Sequence, residues 1–262
     1  MKTSFTTRII VEAGMMLALA WLLGRIKLWS APMGGSVTAG SMVPLLLIAV
    51  LRGPKVGITV GAIYGLIDYL MGGYTVSVIQ WFLDYPLAFA CLGVAGFLWH
   101  PKVRALLARV TGKAREATRL DLFAPLLAMM VLSIVSFLYL GGVLTGEATL
   151  REALQAADLG KASLFGGIGA AAFSLVWCLV RGLPQTTYIL PISGAIVGVG
   201  LRAFCHFLSG VWFFGQYAPE GTAVWMYSLV YNAQYIVPEI IISGFLLVYL
   251  APTLMKFLEQ RA

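Results

Sequence analysis

Asp84, His206 and Asn232 stand out in this sequence, because each lies inside a stretch built otherwise of apolar residues. An ionisable or strongly polar group in such surroundings is costly unless it meets a partner or a water-filled cavity, so it marks a functional site by default. Gln80, Trp81 and Tyr85 flank Asp84, Trp212 and Phe214 follow His206, and Tyr227 and Tyr231 precede Asn232. A carboxylate, an imidazole and an amide among aromatic rings suit a flat, nitrogen-rich, cationic molecule. The ring faces attract the cation and the polar groups fix its orientation. Two other roles fit the same residues. Trp212, Tyr217 and Trp225 match an interfacial aromatic belt, and a lone histidine in an apolar helix also serves as a helix–helix hydrogen bonder.

The elements that must position these groups are membrane helices. Hydrophobic residues make up 60% of the 262 and charged residues 11%, against about 25% charged in an ordinary globular domain. Period-two alternation, the mark of a membrane β-barrel, is absent. Hydropathy predicts an all-α polytopic bundle of about eight transmembrane helices, near Ile9–Leu23, Val37–Leu51, Val56–Met71, Val76–Trp99, Leu122–Leu144, Ala162–Val180, Tyr188–Phe213 and Ala223–Leu250. Most of the 18 Lys and Arg residues fall in alternate loops, above all the run from Lys102 to Arg119, which puts those loops and both termini in the cytoplasm. Arg25 and Lys27 are the main exceptions. With that orientation Asp84, His206 and the Tyr227–Asn232 turns lie at one depth, facing outside.

Several function classes drop out. The charge of +7 sits in short loops beside lipid headgroups, so no nucleic-acid partner is expected. Cys91, Cys178 and Cys205 have unrelated spacings and no histidine cluster, which leaves neither a metal site nor a cofactor to expect. Gly112-Lys113 lacks the rest of a P-loop, so the chain is read as having no ATPase site of its own. An intramembrane enzyme would need converging nucleophile, base or metal ligands; His100 and His206 lie at opposite membrane surfaces, and no catalytic residue is assigned. Lys2 and Arg8 before an apolar run imitate a signal peptide, but the absence of a polar mature domain favours a retained first helix. Asp68 and Glu12 are read as reaching headgroups, Glu239 after Pro238 as a satisfied packing contact, and Arg202 as paired or snorkelling.

Gln80-Trp81-Phe82-Leu83-Asp84-Tyr85 with Ala88 and Gly93-Val94-Ala95-Gly96, and then His206-Phe207, Gly210, Gln216-Tyr217-Ala218, Tyr227-Ser228-Leu229 and Asn232, resemble the ThiT family, the thiamine-specific S-components of energy-coupling factor (ECF) transporters. The resemblance spans roughly Arg8–Trp99 and Ala195–Leu250. It implies a six-helix core with an inserted helix pair between, giving three regions: 1–100, 101–187 and 188–262. It also implies a multi-pass protein of the prokaryotic cell membrane that binds thiamine or a close analogue through Asp84, Tyr85, Tyr74, His206, Tyr227 and Asn232. Phe214 stands where the family has a stacking Trp, Asp84 where it has Glu, and Trp81 adjoins the pocket. A ligand-covering Trp of the first outer loop falls near Gly35, leaving Met33 or Trp29 as substitutes. The implied partners are an ECF transmembrane coupling protein, met by the small pair Gly14 and Ala18 on the first helix, and two ATPase subunits. A stand-alone ion-coupled carrier, with Asp84 or Glu239 as proton site, is the competing transport reading.

Overall fold

The computed structural model describes residues 6–32, 34–98, 119–140, 143–146, 148–149, 159–181 and 186–259. Helix α1 (Thr7–Arg25) leads into a hairpin of β1 (Lys27–Ser30) and β2 (Ser36–Thr38), followed by α2 (Met42–Arg52) and α3 (Pro54–Leu70). Helix α4 covers Val78–Phe97, and then come α5 (Arg119–Leu140), α6 (Leu159–Arg181), α7 (Thr186–Phe213) and α8 (Val224–Glu259). Among the described residues, four stretches are long and apolar enough to cross a membrane: α1, α4, Gly194–Phe213 of α7 and Val224–Leu247 of α8. Apolar α2 and Leu126–Leu140 are shorter. The apolar side chains of α1 also point outward, with Ile10, Val11, Met15, Leu19 and Leu22 all exposed. A water-soluble monomer rarely leaves so continuous an apolar face uncovered.

The helix expected over Val37–Leu51 is the clearest correction. Its first residues are strand β2, antiparallel to β1 with Trp29 opposite Val37, and the helix starts only at Met42. β-branched Val37 and Thr38 favour the extended backbone, and Gly34, Gly35 and Gly40 adopt positive φ values that L side chains rarely reach. The remaining 11 residues rise about 16 Å, half of a bilayer core. Met42–Val50 are all buried, so α2 forms the centre of the bundle and not one of its lipid-facing walls.

Close backbone contact holds α3 and α4 together. A Cβ on Gly61 would lie 2.2 Å from the Phe89 carbonyl oxygen, and one on Gly65 would lie 2.3 Å from that of Tyr85. Where α4 meets Gly65 it widens into a π-helical turn, Leu83–Leu87, which contains Pro86. Proline brings no backbone N–H, and a π-turn re-aims neighbouring side chains, a geometry common at functional sites. Asp84 and Tyr85 sit on that turn.

The α5–α6 pair packs along α8: a Cβ on Gly244 of α8 would strike Leu126, and one on Gly166 of α6 would strike Ser133 of α5. The basic run expected from Lys102 to Arg115, with Gly112-Lys113 in it, lies outside the described residues, as do His100 and Met33.

Gly61→Val should therefore lower stability by about 1–3 kcal/mol or more, because a rigid backbone oxygen must move. Gly14→Val, where an added Cβ meets nothing within 4 Å, should stay within about 0.5 kcal/mol of the parent. Melting midpoints in detergent check the pair, and equal values would refute the packing argument.

Candidate binding site

The hairpin, the loop after α3 and the α7–α8 turn border one cavity of about 310 Å³, within the size range of small-molecule sites. Its polar centre is Asp84. His206 Nδ1 on α7 lies 3.0 Å from Asp84 Oδ1, while Ser209 Oγ, one turn further along α7, donates to Oδ2 at 2.8 Å. Gln80, one turn before Asp84 on α4, donates its amide N–H to the same Oδ2. With Asp84 on the other ring nitrogen, His206 Nε2 is buried without a partner among the described residues. One imidazole nitrogen is thus oriented by a carboxylate and the other remains available to a ligand.

A second hydrogen-bond set fixes the α8 wall. Asn232 Nδ2 donates to the Ser228 carbonyl at 2.8 Å, and Tyr235 Oη donates to Asn232 Oδ1. Ser228 Oγ donates to the Phe207 carbonyl at 2.8 Å, which ties α8 to α7. Gly210 makes that approach possible, since a Cβ there would lie 2.2 Å from Ser228 Oγ.

Two loops are held onto this frame. The Tyr74 N–H donates to Tyr85 Oη at 2.8 Å, and Val76 N–H donates to Gln80 Oε1 at 3.0 Å, so the residues around Asp84 also pin the loop beside it. Tyr231 Oη donates to the Gly34 carbonyl at 2.8 Å, and Glu239 accepts from both the N–H and the hydroxyl of Thr38. The hairpin is thereby fastened to α8 at two points.

Asp84, Tyr85, Tyr74, His206, Phe214, Tyr227 and Asn232 all line the cavity. Trp81 does not: its ring packs edge-on against Tyr69 at 5.8 Å, with Nε1 buried and unpartnered. Trp29 packs against the hydrophobic core instead of covering the cavity, and a Cβ at Gly35 would run into the Tyr235 ring, so Tyr235 fills the space beside the β1–β2 hairpin.

Other lining residues escaped the sequence reading. Trp21, Arg25, Lys27, Asp68, Arg202, Ser209 and Glu239 all face the same space. Ser209 had a usable signal, its i+3 spacing from His206. Asp68 is at the cavity rather than simply among headgroups, and among the described residues Glu239 is only half satisfied, with Oε1 on Thr38 and Oε2 without a partner. Arg202 lies over the Phe89 ring at 4.6 Å and reaches Met42 Sδ at 3.1 Å; the charges of Asp68 and Glu239 act on it, but among the described residues it forms no direct ion pair with an acid. Glu12 takes both Arg52 and Arg8, a tie between α1 and α2 in place of a headgroup contact. Gly14 and Ala18 sit on the exposed face of α1, away from the cavity. Among the described residues no cluster of His, Cys, Asp and Glu is arranged to hold a metal ion.

Comparison with known proteins adds an independent line. The thiamine transporter ThiT of Bacillus subtilis is 28% identical over 253 residues, covering 94% of this chain and 93% of that protein. ThiT of Lacticaseibacillus paracasei is 23% identical over 195 residues, which are 73% of this chain and 61% of that relative. The solved structure of ThiT from Listeria monocytogenes superposes with a TM-score of 0.57 at 20% identity, covering 95% of each chain, and so shares the fold. The family model for the thiamine transporter protein, Thia_YuaJ, matches residues 10–146 and 160–259, through both helices of the α5–α6 pair, and this chain belongs to that family.

Proposed function

We propose that this protein is the substrate-binding membrane subunit of a thiamine uptake system, taking thiamine or a close analogue from outside the cell. The observation that carries the reading is the cavity itself: in a chain of the thiamine transporter family, a carboxylate–imidazole pair, an amide and several aromatic rings converge on one space of ligand size. Thiamine joins an aminopyrimidine to a positively charged thiazolium ring. The His206–Asp84 pair and Asn232 offer directional partners to the pyrimidine nitrogens, and Tyr85, Tyr227 and Phe214 offer ring faces to the cation.

The same reading takes the chain as a multi-pass protein of the cell membrane with about eight crossings, both termini inside and the cavity outside. It joins an ECF coupling protein and two ATPases, which supply the work of transport. Gly14 and Ala18 suit the coupling contact, since they are small, exposed and set among exposed apolar residues.

Titration of the purified chain with thiamine, its phosphates and its isolated pyrimidine tests the substrate. Saturable one-to-one binding of thiamine is expected, and a folded protein that binds none of them would overturn the proposal. Asp84→Asn should weaken thiamine binding roughly ten- to a hundredfold, because a charge-assisted hydrogen bond contributes about 1.5–3 kcal/mol. Unchanged affinity in that variant would remove Asp84 from the site.

Thiamine should quench tryptophan fluorescence through Trp21, which lines the cavity, and not through Trp81. Trp21→Phe should then abolish most of the quenching and Trp81→Phe should leave it; the reverse pattern would misplace the ligand. Reconstituted alone, the chain should bind without accumulating thiamine. Gradient-driven uptake by the chain alone would favour an ion-coupled carrier. Gly14→Leu should spare binding and abolish uptake by the assembled transporter, and normal uptake would sink the coupling assignment.

A further inference from the structure

The cavity contains three carboxylates in different states. Asp84 already accepts from Gln80 and Ser209 and faces His206, so most of its hydrogen-bonding capacity is committed. Asp68 is solvent-exposed, where water screens its charge. Glu239 is only 2% exposed, yet among the described residues just one of its oxygens is used: Oε1 takes the Thr38 N–H and hydroxyl, and Oε2 has no partner. Leaving a buried carboxylate oxygen unmatched is costly, and such a group in a native structure calls for a missing partner. Arg202, a part-buried cation lining the same space, rests on Phe89 and Met42; its charge acts on Glu239 through space, but it donates no hydrogen bond to either carboxylate oxygen.

We infer that Glu239 is a second anchor of the substrate, with Oε2 set against the positively charged ring, and that it selects cationic ligands over neutral ones of the same shape. This rests on the proposed thiamine reading of the cavity. It divides the work between two walls: Asp84 and His206 on α4 and α7 read the hydrogen-bonding heterocycle, while Glu239 on α8 supplies the counter-charge. Because Glu239 also holds Thr38 of β2, the ligand's charge would be felt at the residue that fastens the hairpin.

The test compares thiamine with an uncharged isostere whose thiazolium is replaced by a neutral ring, titrated against the parent, Glu239→Gln and Tyr231→Phe. Glutamine keeps an acceptor for Thr38 while removing the charge. Glu239→Gln should lose roughly ten- to a hundredfold in thiamine affinity and less than about threefold for the isostere. Tyr231→Phe, which removes one of the hairpin's two ties to α8, should weaken both ligands by the same factor. Equal losses for the two ligands in Glu239→Gln, or no loss for thiamine, overturn the inference. A folded parent that fails to bind thiamine overturns the proposed function and this inference together, whereas a binding parent with an indifferent Glu239→Gln overturns the inference alone.

Discussion

A carboxylate placed among apolar helices must be given partners, and this structure is organised around meeting that requirement at Asp84. Burying an unpaired charge is prohibitively costly, while one surrounded by donors becomes a rigid fixture. Gln80 from the same helix and Ser209 and His206 from α7 close around the two oxygens, so a single side chain joins α4 to α7 at the edge of the cavity. The same cluster reaches the loop after α3 through Gln80 and Tyr85. Removing Asp84 would loosen a wall, a partner helix and a loop together.

Glycine makes that closeness possible. Helix α3 lies against α4 with no room for side chains at Gly61 and Gly65, α7 lies against α8 with none at Gly210, and the π-turn at Pro86 sets the phase of Asp84 and Tyr85. In lipid the packing of backbones has to replace the hydrophobic drive that assembles soluble helices. The energetic weight therefore rests on fit, and the cavity is a place where the fit is withheld. Among the described residues, the lining atoms left unsatisfied are His206 Nε2 and Arg202 Nε on α7 and Glu239 Oε2 on α8.

What the sequence made legible follows the range of each signal. Hydropathy found the apolar helices because that signal is averaged over many residues, and ionisable residues inside them pointed to Asp84 and His206. The hairpin was hidden, since Val37 and Thr38 are as apolar or as small as helix residues and only the clustered glycines distinguish them. Trp81 was misplaced because it adjoins Asp84 in sequence while the turn of the helix carries its ring to Tyr69. Glu239 was read as a satisfied contact because its partner, Thr38, is 201 residues away, and no local pattern reveals that one of its oxygens is spare. The α5–α6 pair resembled nothing nameable, yet the family match runs through it.

The central claim is that thiamine occupies the space between the Asp84–His206 pair and the α8 wall. An experimentally determined structure of the protein with thiamine bound tests it most directly. The account predicts ligand density inside the cavity, with one heterocycle within hydrogen-bonding distance of His206 Nε2 and the other against Tyr227 and Glu239. Density for thiamine on the exposed face of α1 or elsewhere outside the cavity, with His206 Nε2 left unpartnered, would contradict it.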